Sequence, residues 1–378
     1  MTDSELIILQ VRPGDAMESQ SGLQTNWPRI YGALHGPRTA AESRTKVALV
    51  VIHPTSNFMN HYLLAPLAER GLTVLGLNTR YLNNDSLLIM ERAIQDLGAG
   101  VRFLRERGFE KVYLIGNSGG AALVTLYQAE AERQTITDTP AGDPITLYSE
   151  EMPPADGIIL AAAHLGRSWL ITNWLDASLI DERDPLSVDP QLDIYDERNG
   201  PPFTPEFLTQ LRAEQRARNQ RITHWAHRRL HYLRSMSGDT RDEAFIVYRT
   251  YADPVFLDGT IDPNDRRGGG NKGNPRAVNY GPNNLARFCT LTSWLSQWSL
   301  ESRAYGPDCL RRTSVPLLHL EYTADGSILP AHVREWNEAG KERIEHRRIR
   351  GANHYLKGQP ELVDEVADHI NAWVTRST

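Results

Sequence analysis

The sequence contains little cysteine: Cys289 and Cys309 are the only two in 378 residues. Two cysteines are too few for a disulfide framework, and their spacing does not match a metal-binding motif. We therefore expect two buried or free thiols in a protein that works in a reducing compartment.

Long hydrophobic runs are also missing. The longest apolar run, VALVVI at 47–52, is far shorter than the roughly 20 residues that cross a bilayer. The N-terminal segment is acidic and lacks the basic start and long apolar stretch of a signal peptide. We therefore expect a cytoplasmic protein without a membrane anchor.

The chain carries no excess of positive charge, since its formal net charge is −6, and this argues against a nucleic-acid partner. A hydrophobic content of 40% and a charged content of 23% are ordinary for a globular protein. The length predicts one large domain with an insertion, or two domains. Oligomeric state is left open, a homodimer being one alternative.

Strand and helix patterns alternate along the first third of the chain and again near its end. KVALVVIHP, at 46–54, is a continuous apolar run typical of a strand buried on both faces. Residues 90–107 follow the apolar spacing of a helix, and residues 360–374 predict a closing helix of the same kind. This alternation predicts a mostly parallel central sheet flanked by helices.

The alternation stops between about residues 164 and 312. This stretch contains an acidic loop, a long basic helix over about 205–235 and a glycine- and asparagine-rich loop. We predict a core formed by residues 1–163 and 313–378. The mainly helical cap, residues 164–312, is inserted after the sixth core strand.

A serine between glycines stands at one predicted strand-to-helix junction, where Gly116, Asn117, Ser118, Gly119 and Gly120 fit the pattern G-x-S-x-G. Such a turn strains the serine backbone and brings neighbouring chain so close that glycine is needed on both sides. A plain structural turn is the alternative. A phosphate-binding loop is disfavoured because no G-K-[ST] follows.

A serine hydroxyl needs a base to become a good nucleophile. His354 lies in a predicted loop between a strand and the last helix, and Asp325 comes just after another strand. Parallel strands bring their carboxyl ends to one edge of the sheet, so these side chains can converge with Ser118 there. Glu321 is an alternative acid, but its position within the strand leaves it less free to reach the histidine.

These segments together resemble the nucleophile elbow, acid loop and histidine loop of the α/β-hydrolase superfamily, over roughly residues 30–163 and 313–378. The resemblance implies an esterase-like serine hydrolase with the catalytic triad Ser118, Asp325 and His354 and without a cofactor. It also implies an oxyanion hole formed by two backbone N–H groups.

The residue after the nucleophile, Gly119, is expected to give one N–H of this hole. The other is expected from the loop after the third strand, where family members often have His-Gly. Here His53 is followed by Pro54, which has no N–H, so Thr55 is the expected donor.

The reaction we expect is cleavage of a carboxylic ester or lactone of moderate size, with an apolar acyl or ring part, through an acyl-enzyme. A carbon–carbon bond hydrolase of the β-diketone type or an amidase would use the same triad. A non-catalytic relative is disfavoured because all three triad residues are present. Arg167 should face the same cleft from its position after the sixth strand. The residues expected to contact the substrate are Asn117, His164, Trp169, Trp174 and Trp298.

One histidine cluster could bind a metal, because His224, His227 and His231 share a face of the basic helix. Without a nearby carboxylate or an H-E-x-x-H motif, we favour a partly buried helix face and expect no metal. Aspartates 184, 189, 193 and 196 fit no calcium-loop pattern and predict a solvated loop.

Overall fold

The computed structural model describes residues 4–13, 28–236, 241–268, 270 and 272–376. Residues 269 and 271, which belong to the predicted glycine- and asparagine-rich loop, and residues 1–3, 14 and 15 of the acidic N-terminal segment lie outside the described residues. Strands are numbered in chain order: β1 (Ser4–Gln10), β2 (Arg29–His35), β3 (Val47–His53), β4 (Thr73–Asn78), β5 (Lys111–Asn117), β6 (Gly157–Ala161), β7 (Ala244–Ile246), β8 (Phe288–Thr290), β9 (Leu317–Tyr322) and β10 (Ile344–Ile349).

Helices are numbered in the same way: α1 (Leu64–Glu69), α2 (Met90–Glu106), α3 (Gly120–Glu132), α4 (Arg167–Trp174), α5 (Pro205–Ser235), α6 (Pro275–Tyr280), α7 (Leu291–Ser293), α8 (Gly306–Arg311), α9 (Pro330–Gly340) and α10 (Pro360–Arg376). Short 3₁₀ turns cover Asp85–Leu87, Ser149–Glu151, Pro254–Phe256 and Lys341–Arg343, and α7 continues into a π-helical turn over Trp294–Trp298.

Eight strands form one sheet in the order β1-β2-β4-β3-β5-β6-β9-β10. Strand β2 is antiparallel to both of its neighbours, and the remaining pairs are parallel. The carboxyl ends of β3, β5, β6 and β9 therefore meet at one edge. The predicted mostly parallel sheet is confirmed.

The middle of the sheet is covered on both faces. Alternate residues of β3 enter different apolar clusters: Ala48, Val50 and Ile52 pack on one side, and Val47, Leu49 and Val51 on the other. The first cluster includes α2 and α3, and the second includes α1 and α10. This two-sided burial explains why β3 has no polar alternation in its sequence.

The residues between β6 and β9 lack the strand–helix alternation of the rest of the chain. They contain the long helix α5, the small antiparallel pair β7 and β8, and most of a further apolar cluster that includes Trp294. The β7–β8 pair was not predicted, because strands of three residues carry too few positions for a periodic signal.

Cys289 and Cys309 are both buried and free, as expected. Among the described residues, no helix combines the length and the hydropathy that a bilayer crossing would require.

Candidate active site

Ser118 stands on a tight turn between β5 and α3. Its φ of 55° lies in the left-handed region, which a residue with a side chain adopts only when its surroundings impose it. Two backbone hydrogen bonds impose it here: the Ser118 N–H donates to Ala161 O (3.0 Å), and the His164 N–H donates to Ser118 O (3.2 Å). The turn is thus anchored to the end of β6.

The glycines around Ser118 are required by close backbone contacts. A Cβ atom on Gly116 would lie 2.6 Å from Ala121 Cα, and one on Gly120 would lie 2.1 Å from Ile52 O. Both distances are too short for any side chain. The sequence-based expectation that glycine is needed at these two positions is confirmed.

Ser118, His354 and Asp325 form one hydrogen-bonded row. Ser118 Oγ lies 3.0 Å from His354 Nε2, and His354 Nδ1 lies 2.5 Å from Asp325 Oδ2. An ionised carboxylate can only accept, so Nδ1 carries the hydrogen and Nε2 is free to accept one from the serine. Asp325 is fully buried and His354 is 4% exposed, whereas Ser118 is half-buried.

Asp325 is held by the loop that follows β9. Its Oδ1 atom accepts the backbone N–H groups of Ser327 (2.7 Å) and Ile328 (3.1 Å), which leaves Oδ2 for the histidine. These three contacts fix the orientation of the carboxylate, so the histidine ring is held in one position.

A loop of the insertion braces the same acid loop. The Asn264 side chain donates to the backbone oxygen of Asp325 (2.8 Å). Next to it, the Asp265 N–H donates to Thr323 O (2.8 Å), and the Thr323 hydroxyl donates to the Asp265 carboxylate. The acid loop is therefore supported from outside the core segments.

Glu321, the alternative acid, forms ion pairs away from His354. Its carboxylate lies 2.9 Å from His346 Nε2 and 3.2 Å from Arg348 Nε, both on the adjacent strand β10. These neighbours lower the pKa of Glu321, His346 making the largest contribution. The structure brings Asp325, and not Glu321, to His354.

His53, at the end of β3, lies beside the serine turn. Its Nδ1 atom accepts the N–H groups of Thr55 (3.1 Å) and Ser56 (2.9 Å). A Cβ atom on Gly119 would lie 2.8 Å from His53 Nε2. The Thr55 amide, expected in the oxyanion hole, is therefore engaged by the imidazole, and the imidazole itself is next to Gly119.

Three histidines other than His354 face the same cavity, and enclosure keeps them neutral. Burial lowers the pKa of His53 well below its ordinary value, with contributions from Arg167 and His354. Burial likewise lowers the pKa of His164 well below its ordinary value and that of His61 to about 3. Since Nδ1 of neutral His53 accepts two hydrogen bonds, its hydrogen resides on Nε2.

A cavity of about 400 Å³ lies above Ser118. The core supplies its floor, with the loop after β3, the serine turn and the histidine loop. The insertion supplies its other wall, with His164, Arg167, Leu170, Trp174, Lys272, Leu285 and Trp298.

The residues expected to contact substrate are distributed over two cavities. His164, Trp174 and Trp298 line the cavity of Ser118, as does Asn117. The Asn117 amide, however, donates to Tyr62 Oη (3.1 Å) and Ala161 O (3.2 Å) and so supports the turn. Trp169 lines an adjoining cavity of about 220 Å³ that shares His164 and Trp174.

The histidine face of α5 does not gather ligands. His224 and His231 are exposed, which differs from the partly buried face we expected, and His227 Nε2 lies 2.6 Å from a carboxylate oxygen of Glu301. Among the described residues, no group of three or more histidine, cysteine or acidic side chains could hold a metal ion. The aspartates of the acidic loop accept backbone N–H groups two residues ahead, as in Asx turns.

Sequence reasoning missed three residues at this site. Lys272 lies in a glycine-rich loop without periodic pattern, and Asn264 lies in a loop whose contact with Asp325 is long-range, so neither gave a signal. The sequence pattern presents His53 as part of a departure from His-Gly, although a histidine at the end of a buried strand is itself a signal of function.

No protein-family model and no curated protein sequence matches this chain significantly. Among solved structures, the chain is similar to DcsB in complex with its substrate analogue, with a TM-score of 0.54, 12% identity and 99% of each chain covered. It is also similar to the esterase domain of a Rhodothermus marinus protein (TM-score 0.46, 13% identity, 98% of each chain). A monoacylglycerol lipase of Paleococcus ferrophilus covers 92% of this chain and 99% of its own at TM-score 0.46 and 16% identity.

Of these three, only the DcsB likeness has a TM-score above 0.5, and at this identity it shows a shared fold alone. In this chain, β2 is the one strand of the described eight-stranded sheet that runs opposite to the others, and the serine turn follows the central strand β5. The chain therefore has an α/β-hydrolase fold.

Proposed function

We propose that this protein hydrolyses a carboxylic ester or lactone, with Ser118 as nucleophile, His354 as general base and Asp325 as the residue that orients the histidine. The observation that carries the proposal is the continuous row from Ser118 Oγ through His354 to Asp325, with contacts of 3.0 and 2.5 Å, on the floor of a cavity. The left-handed backbone of Ser118 supports the same interpretation, because it presents the hydroxyl at the end of the strand.

In the first step the Ser118 oxygen attacks the carbonyl carbon while His354 Nε2 takes the hydroxyl proton. Asp325 stabilises the imidazolium that forms. The tetrahedral intermediate then expels the alcohol, which leaves with the proton from His354, and an ester of Ser118 remains.

The negative oxygen of that intermediate needs hydrogen-bond donors. We assign one donor to the Gly119 N–H, at the start of α3. For the second we assign His53 Nε2–H in place of the expected Thr55 N–H, because the Thr55 amide donates to His53 Nδ1 and the Nε2 atom lies beside Gly119. Neutral His53 can donate this hydrogen bond from Nε2 without adding a positive charge to the site.

In the second step a water molecule attacks the acyl-enzyme. His354 takes its proton and then returns it to Ser118, so the enzyme is restored without a cofactor. The low pKa of His53 and His164 helps here, because two more cations beside His354 would oppose its protonation.

We propose that residues 164–312 act as the cap that selects the substrate. His164, Trp174 and Trp298 supply polar and apolar surface above Ser118, so a substrate of moderate size with an apolar acyl or ring part fits this wall. Bond breaking is assigned to core residues.

A small neutral fluorophosphonate tests the nucleophile. It should modify Ser118 of the wild type and leave Ser118→Ala unmodified, as measured by peptide mass spectrometry. A panel of esters, lactones, amides and β-diketones then identifies the bond cleaved, with Ser118→Ala as the blank. Modification of another serine, or full turnover by Ser118→Ala, would contradict the mechanism. Faster cleavage of amides or diketones than of esters would reassign the substrate class.

A further inference from the structure

The cavity of Ser118 has an unbalanced charge. Two cationic side chains, Arg167 and Lys272, line it, and none of the described residues that line it is an aspartate or a glutamate. We propose that the substrate carries a carboxylate that binds Arg167 and Lys272 while its ester carbonyl lies at Ser118. This inference rests on the proposed ester hydrolysis and names the class of ester.

Arg167 begins α4 and is 5% exposed. One Nη atom lies 3.4 Å from Asp85, a long contact, and its Cζ atom lies 4.2 Å from the centre of the Trp298 ring. Its Nε atom is buried and has no hydrogen-bond partner among the described residues. A guanidinium offers five N–H donors in a planar fork that matches a carboxylate. Arg167 is therefore fixed in place by ring and ion contacts and retains donors for a ligand.

Lys272 reaches the cavity from a different part of the insertion than Arg167, the loop just before α6. Its Nζ atom donates to Asn284 Oδ1 (2.7 Å), a neutral acceptor, and lies 5.6 Å from the centre of the Trp174 ring. Although the residue as a whole is exposed, enclosure of its ammonium group lowers the pKa to about 8. No carboxylate forms an ion pair with it in the described part of the chain.

In the described part of the chain, Asp85 is the acidic side chain that contacts Arg167, and it also acts electrostatically on Lys272. It lines a neighbouring open pocket, which it shares with Lys272, and not the cavity of Ser118. In the immediate surroundings of Arg167 and Lys272, one carboxylate faces two cations, which leaves a single positive charge in excess there. A substrate with one negative charge would neutralise it, and a neutral substrate would not.

The simplest alternative is that Arg167 is structural, held by Asp85 and Trp298 to fix the start of α4. In that case its replacement would reduce turnover of every ester to the same extent. A role in binding a carboxylate would instead reduce turnover of anionic esters selectively. The experiment therefore compares two substrates that differ only in charge.

The probes are p-nitrophenyl half-esters of dicarboxylic acids, from glutarate to suberate, and the same compounds with the free carboxylate converted to a methyl ester. We expect the wild type to show a kcat/KM at least about tenfold higher for the best anionic member than for its neutral counterpart. Arg167→Met and Lys272→Met should each lower kcat/KM for the anionic compound more than for its neutral counterpart, and so reduce this preference.

Two further variants sharpen the comparison. Asp85→Asn should increase the preference for the anionic compound, because it removes the acid that competes for Arg167. Lys341→Met is the matched control: Lys341 is exposed and precedes β10, at the opposite edge of the sheet from Ser118. It should leave the preference unchanged.

Equal kcat/KM for anionic and neutral compounds in the wild type would overturn the inference, as would an equal fall for both in the two methionine variants. If the fluorophosphonate modifies Ser118 and neutral esters are cleaved, the proposed function stands even when the preference is absent. If Arg167→Met does not fold, the decision rests on Lys272→Met and on free glutarate, which should inhibit cleavage of the neutral ester by the wild type. Failure of glutarate to inhibit would count against the inference.

Discussion

The side-chain amide of Asn264 donates a hydrogen bond to the backbone oxygen of Asp325 at 2.8 Å, although the two residues lie 61 positions apart. Asn264 belongs to the insertion and Asp325 to the acid loop. A residue that touches neither the nucleophile nor the histidine thus helps to hold the carboxylate that orients the histidine.

Asn264→Ala should therefore lower kcat by about 10- to 100-fold, because a small displacement of the acid loop misaligns His354. KM should change less, since Asn264 is absent from the cavity wall. Asn199→Ala is the matched control: its amide also donates to backbone oxygens, those of Pro190 and Asp193, in another loop of the insertion. Equal effects of both substitutions, measured by steady-state kinetics on folded protein, would argue against a positioning role.

Asp325→Asn should lower kcat on the order of 10⁴-fold, because the amide would favour the wrong tautomer of His354. Glu321→Gln should have little effect, since Glu321 pairs with His346 and Arg348 on β10. The ratio of the two kcat values, measured with one ester, checks the assignment. The reverse ranking would transfer the role to Glu321.

His53→Ala should lower kcat by about 10²- to 10³-fold with a smaller change in KM, as expected for the loss of an oxyanion donor. His53→Gln should recover part of the activity, because its amide can donate from a similar position. His231→Gln, an exposed change on α5, should have no effect. If His53→Ala retained full kcat, the second donor would have to be a backbone N–H such as that of Thr55.

The preference for anionic esters should depend on pH through Lys272. Burial lowers the pKa of Lys272 to about 8, so the side chain is charged below that pH and loses its charge as the pH rises through it. Groups that face the ammonium are Asn284, Asp85, Arg167 and the rings of Trp174 and Tyr251. Asp85 raises the pKa of Lys272 and Arg167 lowers it. Burial lowers the pKa of Arg167 itself to about 10, so Lys272 loses its charge first as the pH rises.

The measurement is the ratio of kcat/KM for the anionic and the neutral ester between about pH 6 and pH 9, below the lowered pKa of Arg167. The ratio should be highest below pH 8 and fall above it, and any pH dependence that the two substrates share cancels in the ratio. In Lys272→Met the ratio should be flat. A ratio that stays constant in the wild type would show that Lys272 does not contribute to the preference.

A buried ion pair should matter to stability within the insertion. Arg249 and Asp176 approach to 2.6 Å with side chains that are 0% and 1% exposed, and Asn279 also donates to Asp176. Asp176→Ala should lower the free energy of unfolding by about 3–5 kcal/mol, because Arg249 would remain buried without its counter-charge. Asp181→Ala breaks a pair in which Arg183 is 89% exposed, so denaturant unfolding should change little.

Much of this molecule could be predicted from sequence wherever local patterns carry the information. The apolar run of β3, the stripe of α2 and the glycines around Ser118 each follow from constraints on a few consecutive residues, and all three predictions agree with the structure. The insertion shows the limit of such patterns. Its long helix α5 was predicted, whereas the contact of Asn264 with Asp325 and the approach of Lys272 to the cavity depend on loops without periodicity.

The oxyanion hole shows a different limit of prediction from sequence. The sequence indicated that Pro54 cannot donate and pointed to the next amide, Thr55. Which way an amide points depends on the side chains around it, and here the His53 imidazole accepts it. The spacing of residues in the sequence does not indicate that a side chain accepts hydrogen bonds from its own loop in this way, so this contact could not be predicted.

The insertion is tied to the reacting residues at two separate points. The His164 amide holds the carbonyl of Ser118, and Asn264 holds the carbonyl of Asp325. Because the insertion is hydrogen-bonded at both places, it cannot move away from the sheet as one rigid body without displacing the serine turn and the acid loop together. Substrate and product are then expected to enter and leave through a fixed opening of the cavity beside the exposed residues Lys272 and Tyr355. The width of that opening would limit the size of the molecules that reach Ser118.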